Sequence, residues 1–181
     1  MPADSLHPKN EEMASNHKGR KRSDYVYFLS YRTRWFVTIP TKALVFYGEL
    51  RLFRSDNDQY SHMNNAIYYH LYDSIANDYL ANHCGVEATS SPVIGLVVSS
   101  FSEFYRPVGY PQVLELGLRV SKLGKSSVTY EVGVFEEGVE TVAAVGGYTH
   151  VFVGRASGKA VSMSEGIRGG LEKLVVFGSK L

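Results

Sequence analysis

Cysteine is almost missing from this chain of 181 residues: Cys84 is the single one. That excludes an intrachain disulfide framework and fits a reducing compartment. No apolar run reaches membrane-spanning length, so a cytoplasmic location without a membrane partner is expected. Charge of one sign is not in surplus either. A net charge of +1 gives no general pull toward nucleic acid, so none is expected as a partner, and any anionic ligand has to be met by a local patch. A Gly-x-Ser-x-Gly elbow is absent, which removes the serine-hydrolase mechanism built on it. Gly124-Lys125-Ser126 looks like the end of a phosphate-binding loop, but Arg119 stands where that loop needs glycine. His62, His70 and Asp73 match no standard zinc spacing, so no metal is expected. The first residues lack the apolar stretch of a secretory signal, and Asp4, Glu11 and Glu12 argue against a transit peptide.

What remains is the make-up of a globular domain, with 44% hydrophobic and 20% charged residues and enough chain to bury a real core. Residues 1–23 read as a disordered polar tail. Within it, His17-Lys18-Gly19-Arg20-Lys21-Arg22 is a basic run better taken as solvated than as a targeting signal. The domain itself spans 24–163, with a C-terminal helix over 164–181.

Tyr25 to Trp35 is β-prone, and after the interruption at Pro40 a second β-like run covers Leu44–Arg54. Then two i,i+4 rows, Ile67-Leu71-Ile75-Tyr79 and Tyr68-Tyr72-Ala76-Leu80, predict a long and largely buried helix. Asn64 or Asn65 caps its start and Gly85 ends it. Four strands follow, Val93–Phe104, Val113–Leu123, Ser126–Phe135 and Thr141–Val153, with connections too short for parallel crossovers. Ser162 with Glu165 predicts the start of the closing helix, to about Phe177, against the weakening effect of Gly166, Gly169 and Gly170. The order implies an α+β fold in which an antiparallel sheet curls around one central helix.

Chemistry concentrates in the polar turn before that helix, Ser55-Asp56-Asn57-Asp58-Gln59-Tyr60-Ser61-His62-Met63-Asn64-Asn65. It sets two carboxylates, an imidazole and several amides beside a helix start, the placement that acid/base or nucleophilic work requires. Asp58 read alone is better taken as an Asx-turn or helix-capping residue, and His62, Asn64 and Asn65 in register with it turn the balance toward a functional reading. Cys84 reads as a small buried filler.

Asp56-x-Asp58, His62-Met63-Asn64-Asn65, Tyr68 and Tyr72 resemble the signature of the hotdog-fold acyl-CoA thioesterases of the 4-hydroxybenzoyl-CoA thioesterase-like group, Asp-x-Asp-x-x-Gly-His-Val-Asn-Asn-x-x-Tyr. Ser61 stands for the usual Gly and Met63 for the usual Val. The likeness continues through Arg106-Pro107, Tyr110-Pro111 and Gly124-Lys125-Ser126-Ser127, and covers roughly Asp56 to Val161. It implies hydrolysis of an acyl-CoA thioester without metal or redox cofactor, at sites formed between the subunits of a homodimer or homotetramer. Asp58 occupies the position of the nucleophile or general base. The resemblance assigns His62, Asn64 and Asn65 to the setting of that carboxylate and leaves their division of labour open. Asp56 is expected to hydrogen-bond within the turn. Tyr68 is expected in the core or at the pocket mouth. Lys125 with Ser126 and Ser127 is the expected contact for the coenzyme A phosphates, with Arg106, Lys122 and Arg155 in reserve. A catalytically silent hotdog module that binds acyl groups or serves as an assembly scaffold is the alternative.

One departure concerns residues 36–54. Tyr31-Arg32-Thr33-Arg34-Trp35 looks directly continuous with Ser55-Asp56, so the residues between have no counterpart in the family pattern. Two readings stay open, a translated intron or other gene-model error, and a genuine insertion in which Leu44–Arg54 replaces the usual strand.

Overall fold

The computed structural model describes residues 17, 19–30 and 54–176. Their order is β1 (Tyr27–Ser30), α1 (Asn65–Cys84), β2 (Val93–Phe104), β3 (Leu114–Leu123), β4 (Ser127–Glu136), β5 (Ala144–Gly154) and α2 (Glu165–Glu172). All five strands join one antiparallel sheet in the order β1-β3-β4-β5-β2. The turn signals locate the strand limits to within a few residues. They do not reveal that β2 skips its successor β3 and pairs with β5, from Val93↔Gly154 to Phe104↔Ala144. This makes β2 an edge strand.

The helix forms where its two apolar rows predict it. The Asn64 side chain accepts a hydrogen bond from the Ala66 N–H at the start, and Gly85, at φ 65°, ends it in the left-handed conformation that glycine adopts most easily. Tyr68, Leu71, Tyr72, Ile75, Ala76, Tyr79 and Leu80 are all buried. They pack α1 onto β3 and β5, each large side chain contributing about 1.5–3 kcal/mol on full burial. Tyr72 packs closely on Gly146, where a Cβ would stand 2.4 Å from the ring, and its hydroxyl pairs with Ser102 Oγ at 2.8 Å. A sheet with one long helix against its face is the α+β hotdog fold implied by the resemblance.

The second helix is shorter than expected and begins elsewhere. Ser164, not Ser162, accepts from the Ile167 N–H as its cap, and the helix stops at Glu172. Gly170, which weakens it as a helix, permits its contact with α1. A Cβ there would stand 2.4 Å from Cys84 Sγ and 2.7 Å from the His83 carbonyl, and Tyr79 donates to the Gly170 carbonyl at 2.8 Å.

The opposite face of the sheet corrects the reading of the tail. Residues 19–26 lie against it, with a 3-10 turn at Arg22–Asp24. Tyr25 is seated over Gly117 and Gly133 and against Phe135. The basic run is not simply solvated. His17, Arg20 and Arg119 converge on Glu131, which is 2% exposed, and Arg22 pairs with Glu115. A carboxylate so deeply buried has to be paired, and the sheet takes two of its partners from the N-terminal segment. The rest of the expected tail, the atypical segment 36–54 apart from Arg54, and the end of the chain beyond 176 lie outside the described residues. Arg54 opens a 3-10 turn, Arg54–Asp56. Among the described residues no helix is long and apolar enough to cross a membrane.

Candidate active site

The polar turn folds on itself before α1 begins. The Asp58 N–H donates to the His62 carbonyl at 2.7 Å, and Ser61 N–H returns to the Asp58 carbonyl at 3.2 Å. Closing so short a loop forces one residue into the left-handed region, and that residue is Ser61, at φ 66°. This is the position where the family pattern has glycine.

The Asp58 carboxylate, half-buried, is oriented by its own turn: Oδ1 accepts from the Tyr60 N–H at 2.8 Å and the His62 N–H at 3.2 Å. The bond to Tyr60 is that of an Asx turn. Asn64 follows as the cap, its Oδ1 accepting from Ala66 at 2.9 Å. Its backbone N–H is bonded to the Asp56 carbonyl at 2.8 Å. The side chains of His62 and Asn65 are exposed at the helix start. Asp58, His62, Asn64 and Asn65 are therefore held together around one helix N-terminus, where the helix dipole favours negative charge.

A second loop, residues 108–112, locks this turn in place. The Met63 N–H donates to the Val108 carbonyl at 2.7 Å, with both side chains buried. Asn57 reaches across with both ends of its amide, Nδ2 donating to the Ser61 carbonyl at 3.1 Å and Oδ1 accepting from the Tyr110 N–H at 3.0 Å. Gly109 has to be glycine at this crossing, since a Cβ would stand 2.7 Å from the Ser61 carbonyl oxygen. Behind it, Gln112 accepts from the Gly109 N–H at 2.7 Å and donates to Glu136 at 2.9 Å. Sequence reasoning missed Asn57 and Gln112, because a side-chain amide carries no mark in the sequence of a partner so far along the chain.

Arg106, expected as a reserve phosphate contact, is instead bonded to Glu136 within this support. Tyr68 packs against Phe104 with ring centroids 4.8 Å apart and is buried. Burial pushes its hydroxyl up to about 12, against the opposing pull of Arg106. Arg155 is similarly occupied, donating to the carbonyls of Ser91 and Ala88 at 2.7 Å each. Burial also pushes the Cys84 thiol up to about 11, the opposite of what a nucleophile needs.

Lys125, Ser126 and Ser127 lie elsewhere. They form the β3–β4 turn, closed by the Gly124 N–H on the Ser127 carbonyl at 2.8 Å. Arg168 of α2 donates to the Gly124 carbonyl at 2.6 Å, and α2 packs at the Cys84 end of α1. Within one chain, the Asp58 group and the Lys125 turn thus stand at opposite ends of a helix of 20 residues, about 30 Å long. Among the described residues no three His, Cys, Asp or Glu side chains gather as a metal site.

The sequence profile of the thioesterase superfamily matches residues 60–143, starting two positions after Asp58. The PA5185 protein of Pseudomonas aeruginosa is 37% identical, over 88% of this chain and 98% of its own, with a TM-score of 0.74. A Thermus thermophilus thioesterase complexed with coenzyme A and Zn shares 22% identity over 70% of this chain and 90% of its own, with a TM-score of 0.60. The Dynemicin thioesterase shares 19% over 72% and 96%, with a TM-score of 0.66. At these identities the last two show the common fold alone. No curated protein sequence matches the chain.

Proposed function

Because the chain belongs to the thioesterase superfamily, we propose that it hydrolyses an acyl-coenzyme A to the free acid and coenzyme A, with Asp58 as nucleophile or general base. The supporting observation is the Asp58 carboxylate, held through Oδ1 by two backbone N–H groups beside the start of α1. As nucleophile it attacks the acyl carbon, expelling the thiolate, and water then cleaves the mixed anhydride. As general base it takes a proton from the attacking water, and the C–S bond breaks with the proton passing to the thiolate. The thiolate is a good leaving group, so the main remaining need is stabilisation of the developing oxyanion. Backbone N–H groups at a helix start suit that need. His62 and Asn65, exposed beside Asp58, are the side chains to position water or the thioester.

Lys125, Ser126 and Ser127 are the proposed phosphate contacts. Since they stand a helix length away within one chain, a site using both groups takes them from two subunits, as a homodimer or homotetramer. The β2 edge is suited to that pairing, because Leu96, Val97 and Val98 lie exposed on an edge strand, a surface that invites another strand.

The test is a panel of acyl-CoAs with a thiol-detecting reagent. Asp58→Asn, which keeps the Oδ1 acceptor, should lower thioester hydrolysis by roughly 10²–10⁴-fold with the fold intact. Full activity in that variant removes Asp58 from the mechanism. One observation favours the silent-module alternative: the bonding of Asp58 is also that of a purely structural turn. Binding of acyl-CoA without thiol release would support that alternative.

A further inference from the structure

Three polar side chains meet between α1 and the sheet, away from the Asp58 turn. Tyr130 of β4 stands near Tyr148 and His150 of β5. Ring centroids are 4.7 Å apart for Tyr148–His150, 5.4 Å for Tyr130–Tyr148 and 5.6 Å for Tyr130–His150. None of the three is more than 4% exposed. Yet the Tyr130 hydroxyl, the Tyr148 hydroxyl and His150 Nδ1 have no hydrogen-bond partner in the protein. Buried polar groups are nearly always paired, and each one left alone is destabilising. Phenylalanine would fill such places without that cost, so packing alone does not account for the cluster.

Its position follows from the register. Phe104, which packs on Tyr68, pairs with Ala144, and Gly146 carries Tyr72. Tyr148 and His150 come next on the same face of β5, since side chains alternate along a strand. Tyr148 is about 13 Å along β5 from Ala144, away from the helix start that holds Asp58. β2 borders the cluster through Gly95, where a Cβ would stand 2.5 Å from His150 Nδ1. Burial holds the His150 imidazole down, to about 4, so it is neutral near pH 7. A buried carboxylate would find no cation in this cluster, whereas a neutral oxygen would find donors and acceptors.

We infer that Tyr130, Tyr148 and His150 form the distal end of the acyl site and select an acyl group whose far end carries a neutral oxygen, as a hydroxyl or a carbonyl. The inference rests on the thioesterase reading above. A site built to bond such an oxygen rejects the analogue that lacks it, because its own polar groups are then left unpaired.

The experiment compares medium-chain acyl-CoAs of equal length that end in methyl, hydroxyl or carboxylate, using the full chain, Tyr148→Phe and Tyr130→Phe. The expected result is a kcat/KM at least ten-fold higher for the ω-hydroxy thioester than for either analogue. In Tyr148→Phe and Tyr130→Phe the hydroxyl-to-methyl ratio should fall by ten-fold or more. A purely structural role would lower both members of the pair alike. Equal wild-type rates, or a ratio unchanged in both variants, overturn the inference. If no thioester is cleaved, the thioesterase reading fails, and equilibrium binding of the same compounds decides the inference separately. Tighter binding of the hydroxyl member, lost in Tyr148→Phe, supports it, and equal or absent binding overturns it.

Discussion

Asn57 and Tyr110 are joined by a hydrogen bond of 3.0 Å, from the Tyr110 backbone N–H to Asn57 Oδ1. Through it the turn that carries Asp58 is tied to the loop before β3, while the other end of the same amide braces Ser61. Preorganisation of the carboxylate therefore depends on a residue outside the family signature. Removing both bonds with Asn57→Ala should lower stability by about 1–2 kcal/mol, measured by urea unfolding. Hydrolysis should fall further than the unfolded fraction explains, because Asp58 loses its support.

Ser61 is the one described non-glycine residue at positive φ. An L-residue in that region costs about 1–2 kcal/mol, partly offset on mutation by the greater unfolded-state freedom of glycine. Ser61→Gly is expected to stabilise the protein by about 0.5–1 kcal/mol. Ser61→Val should destabilise it by more, since a branched side chain fits the region worst. Chemical denaturation of the two variants checks both signs.

The buried charges of the outer face predict the acid limb of stability. Burial alone would raise the Glu131 carboxyl, but hydrogen bonds from His17 and Arg119 and the charges of Arg119 and Arg20 outweigh it and hold it at about 2. A depressed carboxyl stabilises above its unfolded value of 4.5, and the contribution is lost as pH falls through the folded value. Stability should thus fall by about 3 kcal/mol between about pH 4.5 and 2. His150, depressed by burial from 6.5 to about 4, should begin the decline earlier, as pH falls from 6.5 to 4. His17 acts at the other end. Its hydrogen bond to Glu131 raises it against the opposing effect of burial, so its contribution is complete below 6.5 and lost as pH rises through its folded value. Glu131→Gln, which leaves Arg119 buried without its counter-charge, should cost about 3–5 kcal/mol at neutral pH and flatten the lowest part of the profile.

Gly133 tests the seating of the N-terminal segment. A Cβ at that position would stand 2.6 Å from Tyr25 Cζ and 2.8 Å from Phe135 Cε2, so Gly133→Ala has to displace one ring. The expected loss is about 1–3 kcal/mol. Trypsin should cleave at Arg20, Lys21 or Arg22 faster than in the native chain. An unchanged cleavage rate would mean that Tyr25 does not hold the segment down.

The sequence by itself determined α1, its start at Asn64 or Asn65 and its end at Gly85, the approximate limits of four strands, and the grouping of Asp58, His62, Asn64 and Asn65; the structure chose Asn64 as the cap. Each rests on local signals, since helical periodicity, strand alternation, capping and turn chemistry act between residues only a few positions apart. Tertiary structure decided the rest. β2 pairs with β5 rather than β3 because burial of whole sheet faces selects the partner, and no local signal encodes that. Ser164 rather than Ser162 caps α2, whose close approach to Cys84 depends on Gly170. Arg106 meets Glu136 instead of solvent, and the basic run at Arg20 and Arg22 meets Glu131 and Glu115. A charged side chain looks the same in sequence whether water or a buried carboxylate faces it. Only the folded chain brings the partner near enough, in a medium of low enough dielectric, to decide between them.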